Sequence, residues 1–174
     1  MDKNELIWAA KFNNADKIKK LIENGADVEF TDDEGGTALI YAAQGGNAEA
    51  IKILIENGAD IEAKDEHGCT ALVYAAKFNN TDAIITLIEN GADIGAKDKD
   101  GRGALRYAAQ FANKKAIATI LEKCTDVETK DKYGWAAIVT AVKHHYSGAI
   151  NLLSKIQNQE IKQRILEAAS KTNL

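Results

Sequence analysis

Residues 65–97 read DEHGCTALVYAAKFNNTDAIITLIENGADIGAK, and this stretch decides the fold. Asp65 to Gly68 predicts a tight turn, with Gly68 free to take a positive φ. Thr70 is placed to cap a short helix over about 71–77, its hydroxyl accepting from an N–H of the first turn. Leu72, Ala75 and Ala76 then share one apolar face at i, i+3 and i+4. Asn79 and Asn80 break and restart the chain. A second helix over about 81–90 repeats the i, i+3, i+4 pattern with Ile84, Leu87 and Ile88, and Gly91 sits where a left-handed C-terminal cap belongs.

The same pattern recurs along the chain at a period of 33 residues. Gly35, Gly68, Gly101 and Gly134 keep this spacing, as do Asp32, Asp65, Asp98 and Asp131. A helix of about seven residues is unstable alone, because nucleation is costly and few hydrogen bonds repay it. Its apolar face has to be covered by the units on either side. The ladder Leu6, Leu39, Leu72, Leu105 and Ile138 predicts a continuous core in the first helices, and Ile18, Ile51, Ile84, Ile117 and Ile150 predict one in the second. The expectation is a single all-α repeat solenoid over 1–174, with units at about 1–31, 32–64, 65–97, 98–130 and 131–157 and a capping helix in 158–174.

A turn with glycine, then Thr-Ala-Leu-x-x-Ala-Ala, a second helix and Glu-Asn-Gly-Ala-Asp at this period resembles the ankyrin repeat over essentially the whole chain. The resemblance implies a stack of helix-turn-helix units with projecting β-hairpin fingers. It also implies a non-catalytic module that binds a partner protein through finger tips and a concave first-helix face. The departures matter. The family's Thr-Pro-Leu-His is Thr37-Ala38-Leu39-Ile40 and Thr70-Ala71-Leu72-Val73 here, and the chain has no proline. Gly103 and Ala136 replace the capping threonine, Cys124 replaces the left-handed glycine, and Ser154 stands where Ile22, Ile55, Ile88 and Leu121 pack. These changes predict a softer C-terminal half.

Carried onto this chain, the variable surface positions nominate Lys77, Phe78, Lys99, Arg102, Phe111, Lys132, Tyr133, Trp135 and His144 as partner-binding residues. Aromatics and arginine carry binding energy more often than other residues do. Phe12, Phe78 and Phe111 occupy one column, whose rings either fill gaps in the stack or face a partner; the residues alone leave both open. Trp8, Tyr41, Tyr74 and Tyr107 form a second column, expected to pack between repeats. The finger at Asp32, Asp33 and Glu34 is acidic, whereas Lys97, Lys99, Arg102, Lys130 and Lys132 make later fingers basic and suited to an acidic or aromatic patch on the partner.

Bulk composition narrows the classes. A net charge of −4 argues against non-specific nucleic-acid binding, although residues 1–66 carry −8 and residues 67–174 carry +4. No apolar run reaches the roughly 20 residues of a membrane span, and the N-terminus carries no basic, then apolar, leader. Cys69 and Cys124 lie at different points of their repeats, which fits a reduced, cytoplasmic monomer without a disulfide. Two alternatives remain. One is an inhibitor or effector that acts on a specific enzyme or a foreign cell through the same surface. The other is a hydrolase or metal site at His67 and Cys69, for which two ligands fall short of zinc's usual three or four and no oxyanion hole is evident. With no phosphate-cradling glycine loop either, no cofactor is expected.

Overall fold

The computed structural model describes residues 4–111 and 113–123, together with the single positions 139, 142, 163, 166, 167 and 170. The chain divides into two compact units, Met1–Ala104 and Leu105–Leu174.

The first unit holds three helix pairs: α1 (Glu5–Lys11) with α2 (Ala15–Glu23), α3 (Ala38–Gly45) with α4 (Ala48–Glu56), and α5 (Ala71–Lys77) with α6 (Thr81–Glu89). Helix α3 packs between α1 and α5, and α4 between α2 and α6, so the helices form two layers with the core between them. The expected ladders are that core. Leu6, Leu39 and Leu72 are buried, and Ile18, Ile51 and Ile84 are fully so. Ala42, Ala43, Ala75 and Ala76 have no exposed surface, as close approach of the first helices requires.

Local chemistry sets the boundaries. The Thr37 and Thr70 hydroxyls accept from the Ile40 and Val73 N–H groups at 3.3 and 3.4 Å, starting α3 and α5. Asn13, Gly46 and Asn79 all take left-handed φ (53°, 75° and 60°) to turn the chain from first helix to second. The residue that follows does more than break the chain. Asn47 Nδ2 donates to the carbonyls of Ala10 and Lys11, both at 2.8 Å, and Asn80 Nδ2 donates to those of Ala43 and Gln44 at 3.0 and 2.8 Å. Each amide thus ties down two carbonyls at the end of the preceding repeat's first helix, of which Ala10 O and Ala43 O also accept a backbone N–H, from Asn13 and Gly46.

The fingers are tight turns rather than paired strands. Thr31 and Thr37 form an isolated antiparallel bridge, as do Lys97 and Gly103, and the described residues contain no longer ladder. Each turn is organised by its first aspartate. Asp32 Oδ1 accepts the Glu34 and Gly36 N–H groups, while Oδ2 accepts the Tyr41 hydroxyl at 2.6 Å. Asp65 repeats the arrangement with His67, Cys69 and Tyr74, again at 2.6 Å to the phenol. Tyr41 and Tyr74 therefore brace their own repeat, a role beyond the packing between repeats expected of this column. Successive fingers are joined through backbone. The Glu66 N–H donates to Glu34 O and the Lys99 N–H to His67 O, both at 3.0 Å. Gly35 allows the first of these contacts: its φ is +76°, and a Cβ there would lie 3.2 Å from Glu66 N.

Partial burial alone would raise the Asp32 pKa, but hydrogen bonds from Tyr41, Gly36 and Glu34 together outweigh it and hold the carboxyl below its ordinary 3.8. A group depressed in this way stabilises the fold above the unfolded pKa, and the increment is lost as pH falls through the folded value. Tyr41→Phe is therefore expected to cost about 1–2 kcal/mol at neutral pH. That gap from wild type should shrink as pH drops below about 3.8. Urea midpoints measured across this range check it; a gap independent of pH would remove the carboxylate from the interaction.

The second unit contains the rest of α7 (Ala104–Gln110), which begins on the last residue of the first unit, and α8 (Lys114–Lys123). Leu105, Tyr107, Ala108, Ala116, Ile117 and Ile120 are buried. The Asn113 side chain accepts from the Ala116 N–H at 3.0 Å, capping α8. Gln163, Leu166, Glu167 and Ser170 are helical and exposed, at the i, i+3, i+4, i+7 spacing of one helix face. The expected roles of Cys124, Ala136, Ile138, Ile150 and Ser154 lie outside the described residues.

Candidate functional site

Helix α5 ends in Lys77, and Phe78 forms its C-cap. Neither side chain can turn inward, because the buried face of α5 is filled by Leu72, Ala75 and Ala76. Both lean on the same ring instead. Phe78 stacks on Tyr74 with centroids 6.2 Å apart and planes 22° apart, and Lys77 Nζ lies 5.4 Å from the Tyr74 centroid. Tyr74 is in turn fixed by its bond to Asp65, so a turn aspartate, a tyrosine, a phenylalanine and a lysine form one braced edge. Phe78 remains 47 % exposed there.

Beside this edge lies a cleft of about 320 Å³ lined by His67, Cys69, Lys77, Asp98, Lys99, Asp100 and Arg102. The finger-to-finger bond from Lys99 N–H to His67 O joins two of its lining residues. Three nominated residues, Lys77, Lys99 and Arg102, thus meet at one place. Their states differ. Lys77 and Lys99 are exposed. The Arg102 guanidinium is held by Asp98, at 2.9 Å, and by Asp100, so its charge is largely spent inside its own finger. His67 is exposed, with its imidazole 3.7 Å from the Glu66 carboxylate.

Cys69 is not on the surface. It is 1 % exposed, and burial, reinforced by Asp65 and Asp98, raises its thiol pKa to about 11. Both effects disfavour the thiolate that a cysteine nucleophile requires. Among the described residues, no three His, Cys, Asp or Glu side chains gather where a metal ion could be held.

The phenylalanine column faces outward. Phe12 is 71 % exposed and Phe111, in the second unit, 45 %. Trp8 is corrected from a packing residue to a surface one: half exposed, it stacks on Phe12 at 6.0 Å with planes 8° apart. Lys132, Tyr133, Trp135 and His144 lie outside the described residues.

Stacked helix pairs with turn-anchored fingers and an exposed aromatic edge define an all-α repeat protein. Ankyrin repeats, in a three-copy family model, match residues 6–98 and 86–165, so the chain belongs to the ankyrin repeat family. No curated protein matches it. Ankyrin repeats are generally protein–protein interaction modules and are typically non-catalytic. Among the described residues no helix is long and apolar enough to cross a membrane.

Proposed function

We propose that the protein binds a partner protein through the ends of its first helices and its fingers, with Lys77, Phe78 and Lys99 at the centre of the contact. One observation carries the reading: Phe78 is exposed yet held in place by Tyr74, and its neighbour Lys77 lines a cleft together with Lys99. A ring already ordered in the free protein loses little entropy on binding, and its water is released at a site no internal contact claims. The lysines suit a partner with an acidic patch around an apolar or aromatic centre. Arg102 contributes by stiffening its finger, and Phe111, Lys132, Tyr133, Trp135 and His144 extend the contact along later repeats. The reading takes 1–174 as one repeat domain, supported by the family match from 6 to 165. It takes the chain to be a cytoplasmic monomer in which Cys69 stays reduced.

Lys77→Glu combined with Lys99→Glu is expected to weaken the complex with such a partner by about 100-fold, mostly through slower association. Surface plasmon resonance on a partner captured with the wild-type protein reads the effect. Both side chains are exposed, so the circular dichroism spectrum should not change. Undiminished affinity of the double variant would refute this placement of the site.

A further inference from the structure

A second cleft, of about 380 Å³, lies at the other end of the first unit, between α1 and the finger at Asp32–Gly36. Trp8, Phe30 and Tyr41 supply its rings, and Asp32, Asp33 and Glu34 its carboxylates, of which Asp32 is engaged by Tyr41. Lys11 Nζ sits among them, 5.5 Å from the Trp8 centroid and 5.4 Å from that of Tyr41. We infer that this cleft is a binding site for a basic peptide, in which an arginine or lysine of the partner takes the place that Lys11 now fills from within the chain.

Three features of the geometry support the assignment. The two rings are ordered before any ligand arrives, Tyr41 by its bond to Asp32 and Trp8 by its stack on Phe12. Ring faces attract cations through their quadrupoles, and guanidinium does so while also hydrogen-bonding carboxylates. Lys11 demonstrates the first attraction, since one ammonium lies within reach of both rings. The charge is complementary as well. Asp33 and Glu34 are exposed, and neither side chain forms an ion pair among the described residues. Residues 1–66 together carry −8. A basic peptide approaching this end is drawn in by the local field, and its cation exchanges with Lys11 at little cost because the lysine stem is exposed and can swing into water. The site is separate from the Lys77–Phe78 edge and prefers a ligand of opposite sign.

The test is an NMR titration of the isotope-labelled chain with acetyl-Arg-Gly-Arg-amide, read at the Trp8 indole N–H, whose signal is the one missing from Trp8→Phe. A saturable shift is expected that weakens when salt is raised to about 0.5 M and is absent with acetyl-Glu-Gly-Glu-amide. Asp33→Asn with Glu34→Gln should raise Kd severalfold. Lys11→Gln should lower Kd about two- to fivefold by removing the internal competitor, whereas Lys52→Gln, which changes net charge equally on α4, should leave it close to wild type. No saturable shift, an equal response to the acidic peptide, an unchanged Kd in the double variant, or no tightening in Lys11→Gln beyond the Lys52→Gln control would each overturn the assignment.

Discussion

Ile84→Ala should lower the unfolding free energy by about 2–5 kcal/mol, the range for removing a large aliphatic side chain from a site that cannot collapse around the void. Ile84 has no exposed surface and lies on α6, which packs against α4 and α5. The lost area is only part of the cost. Helix α6 is nine residues long and too short to persist without its neighbours. Weakening one seam therefore removes support from the helices on either side, and the transition should stay cooperative across the first unit while its midpoint falls. Urea unfolding followed by circular dichroism measures this. A loss below about 1 kcal/mol would mean that the ladder of isoleucines is not what holds the repeats together.

Asn80→Ala is expected to cost about 2 kcal/mol, a large effect for a partly exposed polar residue. Its amide donates to the carbonyls of both Ala43 and Gln44, so the substitution leaves two acceptors at the end of α3 without that donor. The sharper comparison is Asn80→Asp. The shapes are nearly equal, but the aspartate has no donor and turns a negative oxygen toward two carbonyls. It should be at least as damaging as alanine. If Asn80→Asp were neutral, the hydrogen bonds between repeats would have no role in cohesion.

Much of this architecture can be read from residue types at fixed spacing. Helix α5 runs over the expected Ala71–Lys77, because a buried threonine cap at one end and an exhausted apolar face at the other leave little freedom. Gly68 and Gly91 take the left-handed φ values their positions called for, 74° and 92°. The polar ties were harder to see, although the signal was there. Asn14, Asn47, Asn80 and Asn113 recur at the repeat period, and Asn80 reads as a chain break until its amide, like that of Asn47, is seen to reach the neighbouring repeat. The nine-residue spacing of Asp32 to Tyr41 and Asp65 to Tyr74 likewise marks the brace inside these two repeats.

The site was legible in part. Lys77, Lys99 and Arg102 line one cleft, where the end of α5 meets the finger of the next repeat. That Arg102 is consumed by Asp98 and Asp100 depends on side-chain reach, which spacing does not encode. Exposure of Phe12 and Phe78 had a readable cause, because Trp8–Phe12 and Tyr74–Phe78 are i, i+4 pairs that stack along their own helix surface. Cys69 was harder. Its counterparts one repeat away are Gly36 and Arg102, too different in size to suggest that this position is buried. The N-terminal cleft is not legible in the sequence, because Lys11 and Trp8 lie far along the chain from Asp33, Glu34 and Tyr41 and come together only through the fold.

The most direct test of the binding role is site-specific photo-crosslinking with benzoylphenylalanine at position 78 and, in a separate chain, at position 89, exposed on α6. In extracts of the cell that makes the protein, position 78 should yield a discrete adduct that added unlabelled wild-type protein competes away, and position 89 should yield none. Equal, uncompeted labelling at the two positions would contradict the claim that the Phe78 edge is built for a partner.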